Sequence, residues 1–91
     1  MLFFENQNIE FKQEYVSDIR KEVIGFANAD GGVVYVGIRK DGAVIGVEDP
    51  DSVMLQIVNS LKDSIAPDIM PFVKVQAEQM EGKHVVEIHV T

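Results

Sequence analysis

Apolar and charged residues alternate over Ile9-Glu10-Phe11-Lys12, the period-two pattern of a short half-buried strand. The period then changes. Val16, Ile19, Val23, Ile24, Phe26 and Ala27 recur at near-helical spacing, Ser17 offers an N-cap, and Asp18 puts an acid where the helix dipole favours one. A helix is therefore predicted over Asp18 to Asn28, stopped by Ala29-Asp30-Gly31-Gly32, because paired glycines reach positive φ without a steric penalty. Val33-Val34-Tyr35-Val36-Gly37-Ile38 is β-branched and aromatic almost throughout, which predicts the most central strand, buried on both faces. Asp41-Gly42 is a strong hairpin signal and joins that strand to a further one over Ala43-Val44-Ile45-Gly46-Val47.

The second half repeats the scheme. Asp49-Pro50-Asp51-Ser52 is turn chemistry leading into a capped helix, with Val53, Leu55, Ile57, Val58, Leu61 and Ile65 on its apolar side and its end before Pro67. Pro71 keeps Ala66 to Met70 irregular. Phe72 to Ala77 alternates cleanly, Glu81-Gly82 turns the chain, and His84 to Val90 forms a last, outer strand in which His84, Glu87 and His89 interleave with valines. Each amphipathic helix must bury its stripe against a sheet face. The predicted fold is α/β (α+β) two-layer, a mixed five-stranded sheet with two helices in the order β-α-β-β-α-β-β.

Length and charge narrow the function. Ninety-one residues, 46% hydrophobic and 25% charged, make one domain, residues 1–91, with a single small core. The last strand runs straight into Thr91, and an N-terminal piece of a longer protein is expected. The sequence has no cysteine, which excludes disulfides, thiolate metal sites and cysteine nucleophiles and agrees with a cytoplasmic location. No apolar run is long enough for a membrane helix. Fifteen acids against eight Lys plus Arg give a net charge of −7, so polyanion binding must rest on a local patch.

Several motifs occur together: Glu5-x-x-x-x-Glu10-Phe11-Lys12, Phe26-Ala27-Asn28-Ala29-Asp30-Gly31-Gly32, Tyr35-Val36-Gly37-Ile38, Asp41-Gly42 with Ile45-Gly46-Val47, Ile65-Ala66-Pro67, and Gly82-Lys83-x-Val85-Val86-x-Ile88-x-Val90. In this order, and over nearly the whole chain, they resemble the Schlafen AlbA-like domain. That domain is a DNA-binding module at the N-terminus of bacterial transcriptional regulators and RecG-related helicases, and part of the core of animal Schlafen proteins. The resemblance implies a nucleic-acid-binding module of a bacterial regulator. It also implies an alternative, a divalent-metal-dependent endoribonuclease, in which Glu5 and Glu10 with a later aspartate would form the catalytic and metal-holding trio around Mg²⁺ or Mn²⁺. The chain departs from the nuclease pattern at the third acid. Lys40 stands there, and the nearest acid, Asp41, falls one residue late and on the opposite face of a regular strand.

The residues carry their own alternatives. Arg39 and Lys40 sit at a hairpin tip suited to phosphates, and Lys12, Arg20 and Lys21 extend them into a basic strip if the first helix packs beside the first strand; the plainer reading is solubilising charge and edge protection. Glu5 and Glu10 read equally as a frayed-terminus acid and a strand-edge acid. Asn28, Asp30, Gly31 and Gly32 could cradle a phosphate, but a phosphate loop precedes a helix with Lys and Ser or Thr behind it, so they read as a structural turn with Asn28 capping the helix or ordering the turn. His84 and His89, five apart on a strand, point to opposite faces and share no metal. Tyr15 and Tyr35 could stack on a base and more simply belong to the core. No cofactor is expected outside the nuclease alternative. The partners expected are DNA or RNA and no membrane. A third reading, protein interaction or a homodimer, follows from the acidic surface.

Overall fold

The computed structural model describes residues 5–64 and 67–91. The elements run β1 (Ile9–Lys12), α1 (Ile19–Ala27), β2 (Gly32–Val36), α2 (Pro50–Ser64), a 3-10 helix (Pro67–Phe72), β3 (Val73–Met80) and β4 (Lys83–Val90). They form an α+β two-layer fold around a four-stranded sheet of order β1-β2-β4-β3. The sheet is mixed: β1 pairs parallel with β2, whereas β4 is antiparallel to both β2 and β3. Ile65 and Ala66, expected in the helical stripe and the irregular stretch after it, lie outside the described residues.

The predicted fifth strand is absent among the described residues. The Asp41-Gly42 turn does form, with the Arg39 N–H donating to the Ala43 carbonyl at 2.9 Å and one antiparallel bridge between Ile38 and Val44. The ladder then stops because both arms leave the β region at glycine, Gly37 at φ 110° and Gly46 at φ 83°. The Gly37 carbonyl accepts both the Ile45 and Gly46 N–H groups at 2.8 Å, and Val47 turns away to donate to the His84 carbonyl. Ala43 to Val47 therefore crosses from the end of β2 to the start of β4 as irregular chain.

Two other expectations change. β4, not an outer strand, is an inner one, with Val85 to Ile88 all buried; the edge on its side belongs to β3, whose exposed Lys74, Glu78 and Gln79 suit that place. The most central position is thus shared between β2 and β4. β2 is also not covered on both faces: Val34 and Val36 are fully buried on the helix side, whereas Val33 and Tyr35 are half-buried opposite.

The core follows from this alternation. On the helix side Val34, Val36, Val86, Ile88 and Val90 meet Ile19, Val23 and Phe26 of α1 and Ile57 and Leu61 of α2. On the other face Phe11, Ile38, Val44 and Val85 form a smaller cluster, with Tyr35 edge-on to Phe11 at 6.0 Å between ring centres. Glu87 projects from β4 into that face, nearly buried, and its Oε1 takes hydrogen bonds from Gln76 Nε2 at 3.0 Å and pairs with His89 Nε2 at 2.8 Å. His84 is exposed.

The glycine turn is where these parts meet. Gly31 lies at φ 86°, and a Cβ there would stand 2.5 Å from the Val90 carbonyl oxygen; one on Gly32 would press into the Phe26 ring at 2.7 Å and the Asn8 carbonyl at 2.8 Å. Gly25, in the middle of α1, has open space around it. Gly32→Ala is therefore expected to destabilise the domain by roughly 1–3 kcal/mol through overpacking. Gly25→Ala is expected to stabilise it by about 0.5–1 kcal/mol through helix propensity. Urea unfolding of the two variants checks both signs, and a neutral Gly32→Ala would mean the junction is looser than described.

Candidate nucleic-acid interface

β1 leaves the sheet at Lys12, whose carbonyl accepts the Gly37 N–H at 2.7 Å and the Ile38 N–H at 3.2 Å. That pair of bonds brings the 39–42 turn beside the end of β1. Between them lies an open groove of about 480 Å³, with Lys12, Gln13 and Glu14 on one side, Arg39, Lys40 and Asp41 on the other, and Phe11 and Val16 as apolar lining.

The turn is held by its own aspartate. Asp41 accepts Arg39 Nη2 at 2.7 Å and Arg39 Nε at 3.1 Å, a two-pronged guanidinium–carboxylate contact, and its Oδ1 also takes the Ala43 N–H at 3.0 Å. The Arg39 guanidinium, with the Ala43 amide behind it, holds the Asp41 carboxyl down to about 2. Asp41 thus closes the turn and does not face Glu5 and Glu10.

Lys40 does face them. Its Nζ donates to Glu5 Oε2 at 2.8 Å and to Glu10 Oε2 at 2.5 Å. Glu5 Oε2 also receives the Phe11 N–H at 2.9 Å, so one carboxylate caps an amide on β1 and meets an ammonium. The residues between them double back, with Asn6 and Ile9 exchanging backbone bonds, which is what returns Glu5 to β1. Burial pushes the Glu5 carboxyl up, but Lys40 and the Phe11 amide outweigh it and leave it below the usual value. For Lys40 burial pulls down, and the two glutamates more than reverse that.

Lys12 extends the arrangement. Its ammonium lies 3.8 Å from Glu10 and 3.5 Å from Glu22 on α1. Charges thus alternate along a chain Glu5, Lys40, Glu10, Lys12, Glu22 that ties the N-terminal segment, the 39–42 turn, β1 and α1. Glu22 was not singled out in the sequence; its place in the first turn of α1, one helical turn before Phe26, is the signal that could have found it.

Of the five cations considered for a basic strip, Lys12, Arg39 and Lys40 line one groove, whereas Arg20 and Lys21 are exposed on α1 outside that lining. Lys21 lies 3.8 Å from Asp18. The helix begins one residue later than predicted, with Asp18 and not Ser17 at the N-cap. Asn28 sits at the C-cap, its N–H on the Ile24 carbonyl, and Asp30 is exposed in the turn. The side-chain amide that holds the glycine junction is that of Asn8, which donates to the Gly31 carbonyl at 3.2 Å. Among the described residues no group of three or more His, Asp or Glu is placed to hold a metal ion, and no helix is long and apolar enough to cross a membrane.

Thirteen solved chains match this one. One is the crystal structure of the DIP2311 protein from Corynebacterium diphtheriae, which is 26% identical with a TM-score of 0.67; the match covers 93% of this chain and 20% of that one. The chain therefore spans about a fifth of the length of that protein. No curated protein matches. The family model described as "Schlafen, AlbA_2" matches residues 5–91, which takes in the carboxylate pair, the glycine junction, the 39–42 turn and the closing hairpin, and the chain belongs to that family.

Proposed function

We propose that this chain is a DNA-binding module of a bacterial transcriptional regulator, acting in the cytoplasm and contacting the phosphate backbone along the groove between β1 and the 39–42 turn. Membership of the Schlafen AlbA_2 family supports a nucleic-acid-related module. The observation that carries the reading further is the convergence of Lys12, Arg39 and Lys40 on one groove in a chain of net charge −7. Arg39 presents a planar, exposed guanidinium, the group suited to paired hydrogen bonds with phosphate. Arg20 and Lys21 on α1 would serve as outlying contacts for a longer duplex.

Each groove cation already has a carboxylate partner. Phosphate must displace those carboxylates, so binding is weak, indifferent to sequence and sensitive to salt. Specificity then falls to other parts of a longer protein. The nuclease alternative draws no support from the turn, since Asp41 is committed to Arg39 and Ala43 while Lys40 faces the glutamates.

Competition between carboxylate and phosphate gives opposite signs at neighbouring residues. Asp41→Asn is expected to tighten duplex binding by releasing Arg39. Arg39→Ala is expected to weaken it equally for all sequences and to make the salt slope shallower by about 1. Fluorescence anisotropy at two salt concentrations measures both, and a sequence-dependent loss in Arg39→Ala would count against backbone contact. The Asp41–Arg39 contact also has a defined pH window. A carboxyl held at about 2 contributes stability that is complete above its unfolded value near 3.8 and is lost as pH falls toward 2. A carboxyl-detected NMR titration should place Asp41 there and find it raised toward the ordinary value in Arg39→Ala, where the Ala43 amide still holds it below.

A further inference from the structure

We infer that the Lys40 ammonium is the resident cation of the Glu5–Glu10 carboxylate pair, so that this member of the family meets the pair's charge with its own side chain instead of a divalent metal ion. The inference concerns what the acid pair is for in the domain without nucleic acid, and it stands whether or not the groove takes phosphate. A hard divalent cation needs several oxygen ligands converging on one point. Here the two facing oxygens, Glu5 Oε2 and Glu10 Oε2, converge on a nitrogen, and the first of them is shared with the Phe11 amide. The next nearest charged group on the pair is again a nitrogen, that of Lys12, 3.8 Å from Glu10. Both oxygens of Asp41 are engaged by Arg39, so the turn offers no third carboxylate. The donors gathered around the pair suit anions and do not fit a metal.

Lysine fits the place physically. Its ammonium is a compact point charge with three donors, two of which are used here. It is tethered through the Lys12 carbonyl, which holds Gly37 and Ile38 and so the root of the turn, and its local concentration at the pair does not depend on solution conditions. A metal entering from solvent must expel it, leave its charge close by, and still find only two carboxylates. The function assigned to the pair is mechanical. It pins the segment before β1 to the 39–42 turn and thereby fixes one wall of the groove.

Replacing the ammonium by a carboxylate should reverse the outcome. In Lys40→Asp, Mn²⁺ is expected to bind at least roughly tenfold more tightly than to the unaltered chain, because a nearby positive charge is removed and a negative one added. Paramagnetic broadening of the Glu5 and Glu10 NMR signals reports where the ion sits, and Glu10→Gln in the Lys40→Asp background should abolish it. Lys40→Met, which removes the charge without adding a ligand, reports folding through the same spectra and should broaden the distribution of signals from residues 5 to 8. Equal Mn²⁺ affinity in the unaltered chain and Lys40→Asp, or localised Mn²⁺ broadening at Glu5 and Glu10 in the unaltered chain, would overturn the inference. If Lys40→Asp does not fold, the unaltered chain alone decides: unbroadened Glu5 and Glu10 signals under Mn²⁺ sustain the inference, and broadened ones overturn it.

Discussion

The junction at Gly31-Gly32 is the constraint on which the rest of the chain depends. Two backbones and a ring meet there with no room for a side chain: the approach to β1 through the Asn8 carbonyl, the end of β4 through the Val90 carbonyl, and the end of α1 through the Phe26 ring. Asn8 binds the junction twice, its amide on the Gly31 carbonyl and its own carbonyl under the Val33 N–H. Fixing Asn8 against Val33 fixes the register Ile9 to Val33 and, three residues on, Lys12 to Val36. A single slip would turn Phe11 out of the core and bring Glu10 or Lys12 in. The position of the groove, at the far end of β1, is therefore set by close packing at the near end.

Electrostatics then works within that frame and does little to create it. The alternating chain from Glu5 to Glu22 is half-exposed, and exposed ion pairs contribute little stability individually. Their effect is positional. The chain links four segments, the turn among them, and it leaves the Phe11 amide of β1 satisfied by the Glu5 carboxylate, so that amide is not open to another strand. An acidic chain can in this way carry three cations on one groove without a patch of unbalanced charge.

Much of this was legible from residue order. The strand over Ile9 to Lys12, the first helix to within a residue or two at each end, the turn at Glu81-Gly82 and the glycine stop at Gly31-Gly32 all follow from local periodicity and backbone freedom. Ala43 to Val47 misled because a β-branched run behind Asp-Gly carries the same strand signal whether or not the two glycines flanking the turn, Gly37 and Gly46, go to positive φ and close on one another. Residue order shows both glycines and leaves their backbone conformation open. β4 misled for a related reason: its polar His84, Glu87 and His89 suggest an edge, but Glu87 is satisfied by Gln76 and His89, partners that only the strand order supplies. At the candidate site, the departure at Lys40 was visible as a substitution. Its meaning was not, because the fold-back that returns Glu5 to β1 depends on backbone bonds between Asn6 and Ile9 that composition does not announce.

Lys40 also bears on how such a groove can change over generations. Lysine and glutamate codons differ at one base, so a single nucleotide stands between an ammonium lodged in the Glu5–Glu10 pair and a third acid at the same place. Because Asp41 secures the turn through Arg39 and Ala43 without help from its neighbour, the backbone that presents position 40 would survive the exchange. The turn is thus indifferent to the sign of the charge it displays there, whereas the hold on the segment before β1 is not, and descendants of one ancestral chain could move between the two electrostatic states without rebuilding the sheet.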